Sequence, residues 1–151
     1  EQAPERADEL PAQGAAEPQN QTRKRAASTG AFELFERANA ERRLGRLREA
    51  AESYAELVAR HPRDRRAALA AFELGRIRMD SLNDLRGAAE ALERALKLDA
   101  RRAFAEDALA RLVLAKEALG LRKECLSARE RYLARYPDGV HAQHLADRCA
   151  A

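Results

Sequence analysis

Cys125 and Cys149 are the only cysteines in the 151-residue chain, and Pro137 lies twelve residues from each. If Pro137 marks the turn of an antiparallel hairpin, equal distances from it bring the two thiols level, since a helix rises about 1.5 Å per residue. A disulfide also needs Cα atoms about 4.4–6.8 Å apart and both side chains facing the contact. Such a bond would close a loop of about 25 residues, stabilise the end of the chain by about 2–4 kcal/mol and fit an oxidising compartment. The alternative is that Cys125 is a small buried hydrophobe and Cys149 frays near the terminus. His141, His144 and Asp147 recur at intervals of three, a spacing that can put metal ligands on one helix face. No well-separated further ligand accompanies them, so ordinary surface residues and no metal are expected. His61 stands beside Pro62 with no nucleophile or carboxylate pattern around it. The chain has no Gly-rich phosphate loop, no Gly-x-Ser-x-Gly and no Cys-x-x-Cys. Glu residues stand beside Arg at i+3 or i+4, which helix stabilisation explains. The expectation is a protein without enzymatic activity or cofactor.

The elements that must position these residues are helical. Thr29 can cap a helix whose apolar face is marked by Phe32, Leu34, Phe35, Ala38 and Leu44. After Gly45, the residues Ala50, Ala51, Tyr54, Leu57 and Val58 recur at three- and four-residue spacing until Pro62. Asp64 can cap a third helix through Ala67, Phe72, Leu74 and Ile77. Residues 80–83 break it, and Ala88 to Leu98 form its partner. Asp99 can cap a helix through Leu119, Gly120 turns the chain, and Leu121 to Tyr136 return. Pro137 stops that helix and Asp138 can cap a last one to about Ala150. Seven helices and no strand are predicted.

Two segments of this pattern recur. Val58-Ala59-Arg60-His61-Pro62 returns as Leu133-Ala134-Arg135-Tyr136-Pro137, and in each case a glycine, Gly45 or Gly120, lies seventeen residues before the proline. Ala38, Gly75 and Ala110 place small residues in the first helices, and Ala50, Ala88 and Cys125 do so in the second. A period in the thirties with two helices per unit is the signature of a solenoid. The series Gly45, Ala50, Tyr54, Pro62 resembles a tetratricopeptide repeat (TPR). The resemblance covers residues 31–137 as three units, with Arg129 where the third unit would carry its aromatic. It implies an all-α solenoid of about three hairpins with a capping helix from Asp138. The ending Ala-Arg-Tyr-Pro-Asp-Gly before a short helix is similar to TPR domains of bacterial envelope proteins. These include FecR-type anti-sigma regulator tails and the Tol–Pal-associated coordinator of envelope constriction. The resemblance further implies a binding face on the first helix of each hairpin, with Asn39, Arg76 and Arg111 just after the small position and Arg42, Met79 and Leu114 one turn on. Three arginines, an amide and a methionine would suit an acidic protein or peptide segment. Alternatively, the arginines decorate an exposed face, as a GC-rich genome would dictate.

Charged residues make up 35% of the chain, yet the net charge is only +3. Basic and acidic residues interleave, so no nucleic-acid partner is expected. No run of 18 apolar residues occurs, so no membrane span is expected in this chain. Residues 1–28 are rich in Pro, Gln, Glu and Ala, with Leu10 their only large aliphatic residue. That composition reads as a disordered linker before a repeat domain over 29–151. Because the chain begins at Glu1 rather than Met, a processed or excised piece is expected, with any signal peptide or anchor upstream. The expected role is a protein-binding scaffold, periplasmic or envelope-associated, with the bacterial cytoplasm as the alternative site. A structural module that stacks or dimerises through its helices is the alternative role.

Overall fold

The computed structural model describes residues 17–150 of the chain. Among them are seven helices and no strand: α1 (Glu17–Arg43), α2 (Leu47–Arg60), α3 (Ala67–Asp80), α4 (Leu85–Leu98), α5 (Ala105–Ala118), α6 (Arg122–Arg135) and α7 (Ala142–Leu145). Each helix packs on the next in sequence. The result is an all-α stack of three antiparallel hairpins with a single helical turn laid over the end. The helices α2 to α6 are each 14 residues long. Helices α3 and α5 start 38 residues apart at Ala67 and Ala105, and Leu47, Leu85 and Arg122 start the second helices at steps of 38 and 37.

The core is built largely from alanine, which lets neighbouring helices approach closely. Ala38, Ala50, Ala70, Ala88, Ala95, Ala105, Ala108 and Ala115 have no exposed surface, and Tyr54, Leu57, Leu92, Leu112 and Tyr132 fill the spaces between them. Gly75 has a similar reason: a Cβ there would lie 2.8 Å from the Leu92 side chain. At the position of Tyr54 in α2, α4 carries Leu92 and α6 carries Arg129. One turn on, Leu57 is matched by Ala95 and Tyr132. The third hairpin thus keeps its buried aromatic but places it a turn later than the first. The face-to-face rings of Phe72 and Phe104, 4.9 Å apart, join the second hairpin to the third.

Each hairpin turns at one residue in the left-handed region: Gly45 (φ +72°), Asn83 (φ +51°) and Gly120 (φ +71°). At the two glycines, the next amide reaches back to a carbonyl of the last helical turn, Arg46 to Glu41 and Leu121 to Lys116. This is the Schellman arrangement, which satisfies orphan carbonyls at a helix end.

Two elements differ from the sequence expectation. Helix α1 begins at Glu17, so residues 17–28, placed by composition in the linker, are helical; residues 1–16 lie outside the described ones. Thr29 does not cap this helix, because its hydroxyl donates to the Arg25 carbonyl inside it. Asp64 and Asp99 accept from the amides two residues on, of Arg66 and Arg101, and so shape the turns before α3 and α5 rather than capping them. At the other end, the helix expected from Asp138 to Ala150 is a single turn, Ala142–Leu145, followed by turns to Cys149.

Candidate interaction face and the closed end of the stack

The six residues expected to bind a partner lie on the first helices of the hairpins, α1, α3 and α5, or at their ends, and internal contacts hold several of their side chains. Asn39 is half-buried on α1, and its side-chain oxygen accepts the Tyr54 hydroxyl at 2.6 Å. Burial pushes the Tyr54 hydroxyl up from its ordinary pKa, with the nearby Glu73 charge adding to the effect and Arg42 opposing it. Arg42 is exposed, with no acidic partner within ion-pair distance among the described residues. Arg76 lies over the Phe72 ring, 5.8 Å from its centre, and pairs with Glu73 at 3.3 Å. Its Nε is buried with no hydrogen-bond partner. Arg111 is held at both ends, by Asp107 on its own helix and by both oxygens of Asp80 on α3, all at 2.8–2.9 Å. Burial alone would lower the Arg111 pKa, but the bonds and charges of Asp107 and Asp80 outweigh it and the guanidinium is raised. Met79 and Leu114 are half-buried and pack against the core.

The six residues differ in what holds them, and only Arg111 reaches a neighbouring first helix, at Asp80. Of the three arginines, two are neutralised from within the fold and only Arg42 offers a free charge. The register also differs between hairpins. The 38-residue step from α3 to α5 aligns Arg76 with Leu114 and Glu73 with Arg111, so in the third unit the arginine sits one turn earlier than in the second. Spacing from the small residues Gly75 and Ala110 concealed this shift.

At the far end, Cys125 and Cys149 are joined, with their Cα atoms 5.7 Å apart. Neither has more than 4% exposed surface. The bond is one of several ties. The Cys149 amide donates to Glu117 at 2.8 Å, and Arg148 pairs with the same carboxylate at 3.2 Å. These contacts, the Cys149 amide first, hold the Glu117 carboxyl below its usual range. Arg129 donates to the carbonyls of Ala146 (3.2 Å) and Arg148 (2.6 Å). The Tyr132 hydroxyl donates to Glu106 at 2.7 Å and accepts the His141 amide at 3.0 Å, while the Val140 amide donates to the same Glu106 oxygen. Sequence reasoning did not find Arg129, Tyr132, Glu106 or Glu117, because their partners lie 17 to 34 residues away and no local pattern marks them.

The histidines do not converge. His141 lies 3.6 Å from Asp107, and His144 lies 3.0 Å from an Arg148 nitrogen. Among the described residues no group of three or more ligand-type side chains could hold a metal ion, and no helix is long and apolar enough to cross a membrane. The grooves on the outer surface are shallow, and one of them, lined by Ala55, Val58, Leu74 and Arg94, lies between α2 and α4. No family model and no curated protein matches the chain.

Proposed function

We propose that this chain is a tetratricopeptide-repeat module that holds a protein or peptide segment on the face of α1, α3 and α5, as part of a bacterial envelope protein. The observation that carries the reading is the locked face itself. Arg76, Arg111 and Asn39 each have an internal partner, so their side chains need little ordering when something binds, and pre-ordered side chains cut the entropic cost of association. Met79 and Leu114 supply half-buried apolar area between the ion pairs. For an acidic segment, Arg42 is the first anchor, since it alone of the three arginines has no carboxylate to give up. A disulfide in the closed end supports an oxidising compartment such as the periplasm.

The second reading, self-association, is favoured by Phe32 on α1 and Leu44 in the turn after it, which are 48% and 68% exposed. Charge reversal separates the two. Arg42→Glu with Arg76→Glu should abolish capture of peptides selected by the native protein from a displayed library, and should leave the sedimentation behaviour unchanged. Unchanged capture together with lost self-association would refute the face as the binding site.

A further inference from the structure

The disulfide is buried, yet it is not sealed. A crevice of about 190 Å3 is lined by both cysteines together with Glu117, Gly120, Arg122 and Ala150. Gly120 contributes no side chain and Ala150 only a methyl, so two of its walls are low. Arg122 is exposed at the rim with no acidic partner among the described residues. The charge of Glu117, on the other wall, is already met by Arg148 and the Cys149 amide. A positive rim favours a thiolate over a thiol, and the thiolate is the species that attacks a disulfide.

We propose that Cys125–Cys149 is a thiol–disulfide exchange site, entered through this crevice by a dithiol reductant, and that its reduction releases the end cap. Cys149 is the sulfur attacked, since it lies in turns near the terminus while Cys125 stands fully buried within α6. The reductant's thiolate bonds to the Cys149 sulfur, the Cys125–Cys149 bond breaks, and its electron pair passes to Cys125. Cys125 takes a proton, and the Val113 carbonyl, 3.4 Å away, accepts the new S–H. The reductant's second thiolate then attacks the mixed disulfide, Cys149 leaves and is protonated, and the reductant departs as its own disulfide. Two electrons and two protons pass from the dithiol to the protein.

Release follows from how little apolar packing holds the cap beside its polar ties. Helix α7 is one turn with one large buried side chain, Leu145. Cys149 sits at φ +64°, in the left-handed region that an L side chain adopts only when its surroundings impose it. Without the covalent tie, the segment 142–150 keeps the Arg129 and Glu117 contacts but loses the constraint that imposes its backbone. Because a hairpin stack couples only neighbours, the first two hairpins should not respond.

The test uses the native chain and dithiothreitol. Free thiols are trapped by alkylation over time, and amide hydrogen exchange is followed in parallel. Reduction should proceed without denaturant, slowed several-fold by Arg122→Glu and much less by Lys123→Glu. Exchange over 142–150 should then quicken by about tenfold or more, with α1 to α4 unchanged. Cys149→Ser, which removes the tie without any reductant, should show the same fast exchange. Reduction that requires unfolding of the whole chain, or equal exchange in the oxidised, reduced and Cys149→Ser proteins, would overturn the proposal. Equal rates for the two charge reversals would remove the crevice as the way in.

Discussion

Tyr132 ties the end of the stack to its third hairpin through one hydroxyl, which donates to Glu106 and accepts from His141 with no exposed surface. Burial first, and the hydrogen bond to Glu106 next, push its pKa from 10.0 up to about 12. A raised folded pKa means the hydroxyl's contribution is complete below pH 10 and lost as pH climbs through about 10 to 12. Tyr132→Phe should therefore lower stability by about 1–3 kcal/mol near neutrality, because Glu106 and the His141 amide lose a partner. Between pH 8 and 11 the gap between variant and native protein should narrow. Urea midpoints at the two pH values check this, and a gap that stays constant would mean the hydroxyl is not the titrating group. Gly139 belongs to the same knot: a Cβ there would lie 2.4 Å from a Glu106 oxygen and 2.5 Å from the Tyr132 hydroxyl. Gly139→Ala must displace both, and should destabilise by about 1–3 kcal/mol in the same assay.

The hairpin turns obey a rule that the residues around them do not share. Gly45 and Gly120 have open space around an added Cβ, so any cost of Gly120→Ala comes from its φ of +71° alone. That cost should be about 1–2 kcal/mol by thermal or urea unfolding. Asn83→Gly, at φ +51°, should be neutral or stabilising. The two glycines were visible in the sequence because their distance to a proline repeats, and the helix order followed from apolar spacing. Asn83 fell within the expected break at 80–83, but its left-handed turn was not marked, nor was Asp84, whose side chain caps α4 by accepting the Gly87 amide at 2.9 Å. The start of α1 was misjudged for another reason. Residues 19–29 are all exposed, so composition alone reads as linker. Once the hairpin has nucleated α1, however, Gln, Arg, Lys and Ala extend it at little cost per residue. The end of the chain erred the other way. Arg129, Glu117 and Cys149 draw residues 146–149 into turns over the stack, where a continuous helix would carry them off it. The cap should also answer to acid. The Glu117 pKa is lowered in the fold, so its contribution is present above the ordinary glutamate range, near pH 4.3, and fades as pH falls through its folded value. In Cys149→Ser protein, exchange over 142–150 should quicken on acidification beyond the intrinsic pH effect, and Glu117→Gln should remove that excess.

Because each helix touches mainly its neighbours, stability should fall toward the ends of the stack. A chain starting at Ser28 should unfold within about 0.5 kcal/mol of the full chain, since the removed residues that are described pack on little. The same topology explains why the candidate face was only partly legible. Its six residues are those the resemblance to a tetratricopeptide repeat implies, but Asp80 and Arg111 are 31 residues apart and meet only when the second and third hairpins stack. Their pairing decides how the face meets an acidic segment. With Arg111 22% and Asp80 49% exposed, the pair is largely solvated and worth about 0–1 kcal/mol. Asp80→Asn should therefore cost little stability. It removes one of two carboxylates held by Arg111, while Asp107 keeps the guanidinium in place. If an acidic segment lies along α1, α3 and α5, this substitution should tighten it several-fold and steepen the salt dependence, because a second cation joins Arg42 on the same face. Titration of a selected acidic peptide into both proteins measures the change. Unaltered affinity with intact folding would place the ligand's charge at the first hairpin alone, and weaker binding would mean Asp80 itself contacts the ligand.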